Sequence, residues 1–248
     1  MKILVCISHV PDTTSKINFT DNDTKFDTDG VQFVINPNDE FGLTRAMWFK
    51  EKQGATVDVV NVGGKETEST LRKALAIGAD NAIRVDTPAT DGFQVAKQLA
   101  KVAKDGDYDL IIAGRESIDY NGGMVPGMLA KLIGANFVNT CIGLEIEDGK
   151  AKAIREIEGG TETITSGLPL VVAGQKGIVE ESDLRIPNMR GIMMARKKPL
   201  NVVDAQEVEA KTEAVKFEKP APKGETKMID PDNLDELVDL LHNDAKAI

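Results

Sequence analysis

Four short apolar runs, each followed by an amphipathic stretch, leave the first half of this chain few folds to adopt. Ile3–Ile7, Val57–Val62, Ala82–Val85 and Leu110–Ala113 are continuous or nearly continuous apolar segments, as expected of strands covered on both faces. Between and after them lie helical spacings: Leu43, Ala46 and Met47; Leu71, Ala74 and Leu75; Val95, Leu99, Val102 and Ala103; Val125, Met128, Leu129 and Leu132. Asn36-Pro37-Asn38-Asp39 introduces the first helix, and Gly54 and Gly78 are placed to end the first and second. This strand–helix alternation predicts an α/β fold with a mostly parallel sheet and right-handed crossovers.

After Phe137 the spacing changes. Alternating residues joined at Asp148-Gly149 and Gly159-Gly160 predict an antiparallel hairpin portion added to that sheet. Leu168–Ala173 returns to buried-strand character. Beyond Gly174, prolines at 187, 199, 220 and 222 and a polar stretch over Glu207–Lys227 predict an extended C-terminal arm. A closing helix is expected with Asp230 as N-cap, Pro231 at its first position, and Leu234, Leu237, Val238 and Leu241 on one face. That face can pack on its own domain or on a partner. The organisation expected is 1–184 as an α/β nucleotide-binding domain, 185–200 as a basic recognition segment, and 201–248 as arm and terminal helix.

Composition narrows the function. A net charge of −10 argues against a general nucleic-acid binder. No segment approaches the roughly 20 apolar residues of a membrane span. Cys6 and Cys141 form no CxxC pair, and with two histidines no zinc set has the usual spacing. Both thiols read as reduced, buried small residues, which suits a cytoplasmic protein.

In an open α/β sheet, ligands bind beyond the carboxyl ends of the strands. That rule selects three loops: Ser8–Thr14, Gly63-Gly64, and Gly114–Met124. In the last, glycines precede a helix, whose free N–H groups and dipole attract anions, and Arg115 and Ser117 can add contacts. A plain glycine-rich turn with no ligand is the competing reading. No GxxxxGK[ST] loop and no GxGxxG follows the first strand. No Ser/His/Asp set stands out, and His9 reads as loop packing. Arg185–Lys198 carries five basic residues and no acid, interleaved with Ile186, Met189, Ile192, Met193 and Met194. It reads either as a helix with a solvated basic face or as an apolar docking anchor with a steering basic rim.

One stretch is more specific than any of these. Ala153–Ala173 places Ala153, Arg155, the Glu158-Gly159-Gly160 turn, Glu162, Ile164, Pro169 and Val171-Val172-Ala173 as in the motif of electron transfer flavoprotein β subunits. Ile3–Val10, Ile35-Asn36-Pro37, Leu71–Asp80, Gly114–Asp119 and Arg185–Lys198 also resemble that family, in order. The resemblance implies an adenine nucleotide α-hydrolase-like fold and a heterodimer with an α subunit that holds a redox FAD. It implies an electron carrier rather than an enzyme, taking electrons from acyl-CoA dehydrogenases and passing them to a membrane quinone oxidoreductase. It implies an AMP in this chain, contacting Cys6, Asn36, Pro37, Asn38, Asp39 and Val62, together with Ala113, Gly114, Arg115, Glu116, Ser117, Ile118, Asp119, Tyr120, Asn121, Gly122, Gly123 and Met124. It implies partner docking through Arg185, Met189, Arg190 and Ile192. Met189 stands where some members carry a leucine anchor, and Thr13 where some carry a tyrosine beside the flavin. The run Val10-Pro11-Asp12-Thr13 is similar to bifurcating members, whose β subunit holds a second FAD and which use NADH. A stand-alone nucleotide-binding module is the third reading.

Overall fold

The computed structural model describes residues 1–248. In chain order its elements are β1 (Lys2–Cys6), β2 (His9–Pro11), β3 (Phe19–Thr20), β4 (Lys25–Phe26), β5 (Phe33–Ile35), α1 (Pro37–Gln53), β6 (Thr56–Val62), α2 (Glu68–Ile77), β7 (Asn81–Asp86), α3 (Gly92–Gly106), β8 (Leu110–Gly114) and α4 (Val125–Ile133). There follow β9 (Asn136–Glu147), β10 (Lys150–Ile157), β11 (Gly160–Gly167), β12 (Leu170–Gly174), α5 (Met189–Ala195), β13 (Leu200–Asp204) and α6 (Leu234–Asp239). Nine strands form one sheet in the order β11-β10-β9-β12-β8-β1-β6-β7-β13. β1 pairs in parallel with β6 on one side and with β8 on the other. β9, β10 and β11 extend the sheet as an antiparallel wing.

Successive side chains of a strand point to opposite faces, so a strand covered on both sides must be apolar throughout. In β1, Ile3 and Val5 join the core beneath α1 and α2, while Leu4 and Cys6 join the core beneath α3 and α4. Ile111 and Ile112 divide in the same way. Helix ends follow local chemistry. Gly54 takes a left-handed φ of 67° and closes α1 with its N–H on the Lys50 carbonyl. Asp91 caps α3 by accepting from the Gln94 amide at 2.7 Å.

Four expectations are corrected. The second hairpin turns at Glu158-Gly159, because Gly160 is already paired with Ile157. The buried strand near residue 170 begins at Leu170 and not Leu168. The boundary expected at 200/201 falls inside β13, which pairs with β7 from Leu200↔Ala82 to Asp204↔Asp86 and completes the sheet edge. The terminal helix starts later than Asp230. Asp230 instead folds a local turn, accepting from the Asp232 amide at 3.0 Å, and Asn233 caps the helix. An asparagine directly before the apolar run outcompetes the earlier aspartate for the cap. Between β13 and α6 the chain forms no helix or strand. It is tied down at points: Gln98 and Gln206 exchange hydrogen bonds, and Phe217 stacks on Phe19 at 5.0 Å.

Candidate functional site

The order in which the chain lays down its strands fixes where a crevice opens. From β1 the chain moves outward through β6 and β7, then returns to place β8 on the other side of β1. The loops leaving β1 and β8 therefore diverge, and a cavity of about 460 Å³ lies at the carboxyl ends of these strands.

Asp39 bridges this switch point. Only 3% exposed, it accepts from the Ser8 amide at 2.7 Å and from the Gly114 amide at 2.8 Å. Burial pushes its carboxyl up to about 7, against the pull of those hydrogen bonds. Asn36 and Asn38 act one layer out. Both side-chain amides donate to the Glu116 carbonyl, at 2.9 and 3.1 Å, and the Asn36 carbonyl oxygen accepts from the Ile118 amide at 3.2 Å. Pro37 starts α1. The Asn-Pro-Asn-Asp turn is thus a clamp that shapes the loop after β8.

That loop lines most of one wall. Cys6, Asp39, Val62, Ala113, Gly114, Arg115, Glu116, Ser117, Asp119, Tyr120, Gly122, Gly123 and Met124 all face the cavity. Asn36, Pro37, Asn38, Ile118 and Asn121 do not line it. Asn121 and Gly123 take φ values of 52° and 60°, which folds the loop back before α4. No side chain caps α4, whereas Asp91 caps α3. At the start of α4, Pro126 has no N–H, and the Val125 and Gly127 amides are left without a side-chain cap, open to an anion. The Arg115 guanidinium is held by Glu116 and by Gln175, the latter at 3.2 Å. Glu66, Asp91 and Asp119 add to the acidic lining.

Beyond strand and helix positions such as Val60, Asn61, Val95, Leu99, Val125 and Pro126, two loop segments of the wall were not selected from sequence: Glu66-Thr67 and Pro88–Gly92. The second obeys the same strand-end rule, since it follows β7, but its proline and capping aspartate resemble an ordinary helix start. His9 packs, as expected, with its ring stacked on Phe33 at 4.3 Å and Nδ1 2.8 Å from Thr70 Oγ1. It also lines the cavity. Cys6 and Cys141 are free and buried, and burial raises both thiols, that of Cys141 to about 11. No group of three or more His, Cys, Asp or Glu side chains gathers to hold a metal ion. No helix is long and apolar enough to cross a membrane.

The basic segment forms α5, capped by Asn188 through the Gly191 amide at 2.8 Å. Arg72 donates to the carbonyls of Ala195 and Lys198 at 2.7 and 2.8 Å, and Lys198 reaches back to the Leu75 and Ala79 carbonyls. The segment is therefore anchored to α2. Its outer face stays bare: Ile186 is 85% and Met189 75% exposed, and Ile192, Met193 and Met194 are exposed too. Arg185 pairs with Glu51 at 2.7 Å, while Arg190 is exposed.

Residues 23–208 match the electron transfer flavoprotein domain family. The chain is 35% identical to the electron transfer flavoprotein subunit beta of Bacillus subtilis (strain 168), with both chains covered completely. It is 37% identical to that of Syntrophomonas wolfei, over 90% of this chain and 87% of the relative. With the same subunit of Bradyrhizobium diazoefficiens it shares 34% identity over the full length of both. A domain match over most of the chain, joined to similarity with three such subunits, two of them matched end to end, places this protein in the electron transfer flavoprotein β-subunit family.

Proposed function

We propose that this chain is a cytoplasmic electron-carrier subunit that binds AMP in the switch-point cavity and pairs with an α subunit holding FAD. The observation that carries the nucleotide reading is the convergence at one cavity of the β1 end, the Asp39 bridge and the uncapped start of α4. The residues present suit an adenine mononucleotide. Cys6, Val62 and Ala113 offer apolar contact to a base. The N–H groups around Gly122–Val125, at the cavity wall, would serve one phosphate. When bound in the α subunit, the flavin supplies the redox chemistry. This chain's part is to hold its nucleotide, complete the heterodimer and present the docking helix. Electrons would arrive from acyl-CoA or related dehydrogenases and leave to a membrane quinone oxidoreductase. The exposed face of α5 supports such transient docking, since apolar side chains in a basic rim suit an acidic partner surface.

A second FAD, with NADH as donor, is the reading suggested by Val10-Pro11-Asp12-Thr13. Either nucleotide brings about two negative charges to the same acidic lining, so the nucleotide content of the purified complex decides between them. Co-purification with the α subunit, followed by chromatography of the released nucleotides, tests the reading. One FAD and one AMP per heterodimer is expected. Two FAD, or no α subunit and no flavin, would overturn it.

A further inference from the structure

His9 is the one ionisable side chain lining the cavity that is neither an acid nor already in an ion pair. Its ring is fixed by the Phe33 stack and by Thr70, leaving Nε2 without a hydrogen bond in the chain. Thr70 bears a hydroxyl, which donates or accepts. The ring can therefore gain a proton without losing that contact. We infer that His9, through Nε2, is a cationic contact for the phosphate of the nucleotide in this cavity, making affinity for a phosphorylated ligand rise as pH falls.

The surroundings support this. Burial holds His9 below the ordinary histidine range, while Glu66, before α2, and Asp119, in the loop after β8, pull it back up. Both acids act through space, without a hydrogen bond to the ring. Asp119 belongs to the loop that leads into the open start of α4, and His9, Asp119 and Val125 all line the same cavity. The other charged groups lining it are Asp39 from α1, Asp91 before α3, and Arg115 with Glu116. Of these, Asp39, its carboxyl raised to about 7, loses negative charge over the same pH range, in wild type and in a His9 variant alike. An arriving phosphate offsets the desolvation of the imidazolium and draws a proton onto it.

This role rests on the nucleotide reading above, and the test separates the two. The full chain and His9→Gln are titrated calorimetrically with AMP and with adenosine, between about pH 6 and pH 8. The wild-type to variant affinity ratio cancels the titration of the AMP phosphate itself. For AMP the expected ratio is about fivefold or more at the acid end, shrinking toward unity at the alkaline end. For adenosine it stays at unity throughout, which also reports an intact cavity in the variant. A ratio of unity for AMP at every pH, or equal losses for AMP and adenosine, overturns the assignment. Wild-type protein that binds neither ligand overturns the nucleotide reading, and the histidine's role with it.

Discussion

The Asp39 carboxylate accepts a hydrogen bond from the Gly114 amide at 2.8 Å, across the gap between the two strand ends that frame the cavity. Gly114 makes this approach possible. A Cβ at that position would sit 2.3 Å from Asp39 Oδ1. Gly114→Ala should therefore push the carboxylate away, leave two buried amides short of their acceptor and cost about 1–3 kcal/mol of stability. Urea denaturation checks this, and a variant as stable as wild type would show that the bridge gives way freely.

Asp39 also sets a pH signature. Its folded-state carboxyl is raised to about 7, above the value of about 3.9 expected when unfolded. Between those values the folded chain holds more protons, so this group's contribution to stability falls as pH rises and is level above the folded value. The stability advantage of wild type over Asp39→Asn should shrink from about pH 4 to pH 7. Thermal melts of both proteins across that range measure it. A constant difference would mean that the carboxyl titrates normally.

Gly191 and Met189 should separate anchoring from docking. A Cβ on Gly191 would lie 2.3 Å from the Ala76 carbonyl oxygen, so Gly191→Ala should lift α5 from α2 and cost about 1–3 kcal/mol. Met189 is exposed, so Met189→Ala should alter stability by less than about 0.5 kcal/mol. In the heterodimer it should nonetheless slow reduction by dehydrogenases with FAD content unchanged. Unaltered rates with a panel of dehydrogenases would remove Met189 from docking.

Asp91 ties the C-terminal segment to the cavity rim. Besides capping α3, its carboxylate accepts from the amides of Lys211 and Thr212, the latter at 2.9 Å. Asp91→Ala should cost about 1–2 kcal/mol and speed proteolytic cleavage near residue 211. Mass spectrometry of a limited digest reads the outcome, and an unchanged cleavage rate would show that other contacts hold the segment.

Arg84, in β7, braces the loop after β6. Its nearly buried guanidinium pairs with Glu68 and Asp86 and donates to the Gly63 carbonyl at 3.0 Å. Arg84→Met leaves the buried Gly63 carbonyl without its donor while the part-exposed carboxylates hydrate, and should cost about 1–3 kcal/mol. Chemical denaturation measures the loss, and a neutral result would mean that water replaces the guanidinium without cost.

Much of the parallel half of the fold was legible because β8 and β12 are apolar on both faces, as is β1 from Ile3 on, and the helices between carry apolar residues at helical spacing. Ile111 and Ile112 feed opposite cores, so the run Leu110–Ala113 had one economical interpretation. β13 was not legible. It lies at the sheet edge, with Asn201 and Val202 exposed, so it lacks the apolar run that marks an internal strand. At the site, the loops beyond β1 and β8 followed from topology and glycine content. The clamp made by Asn36 and Asn38 did not, since both reach some eighty positions along the chain to hold Glu116. Only the folded backbone brings those residues together. His9 was read correctly as packed, but packing on one ring face and one nitrogen says nothing about the nitrogen left over.

The position of β1 also governs how the chain must be made. Its first residues need a neighbour far downstream: Lys2 donates through its main-chain N–H to Asp109, 107 positions later. At ribosomal rates of ~5–20 residues per second, that partner is synthesised roughly 5–20 seconds after β1. During this interval Ile3, Leu4 and Val5, all at 0% exposure in the finished fold, first lack both flanking strands and then, once β6 is made, have only one of the two. The nascent N-terminal third is thus a natural client for chaperones, and codon choice from β6 to β8 sets how long that exposure lasts.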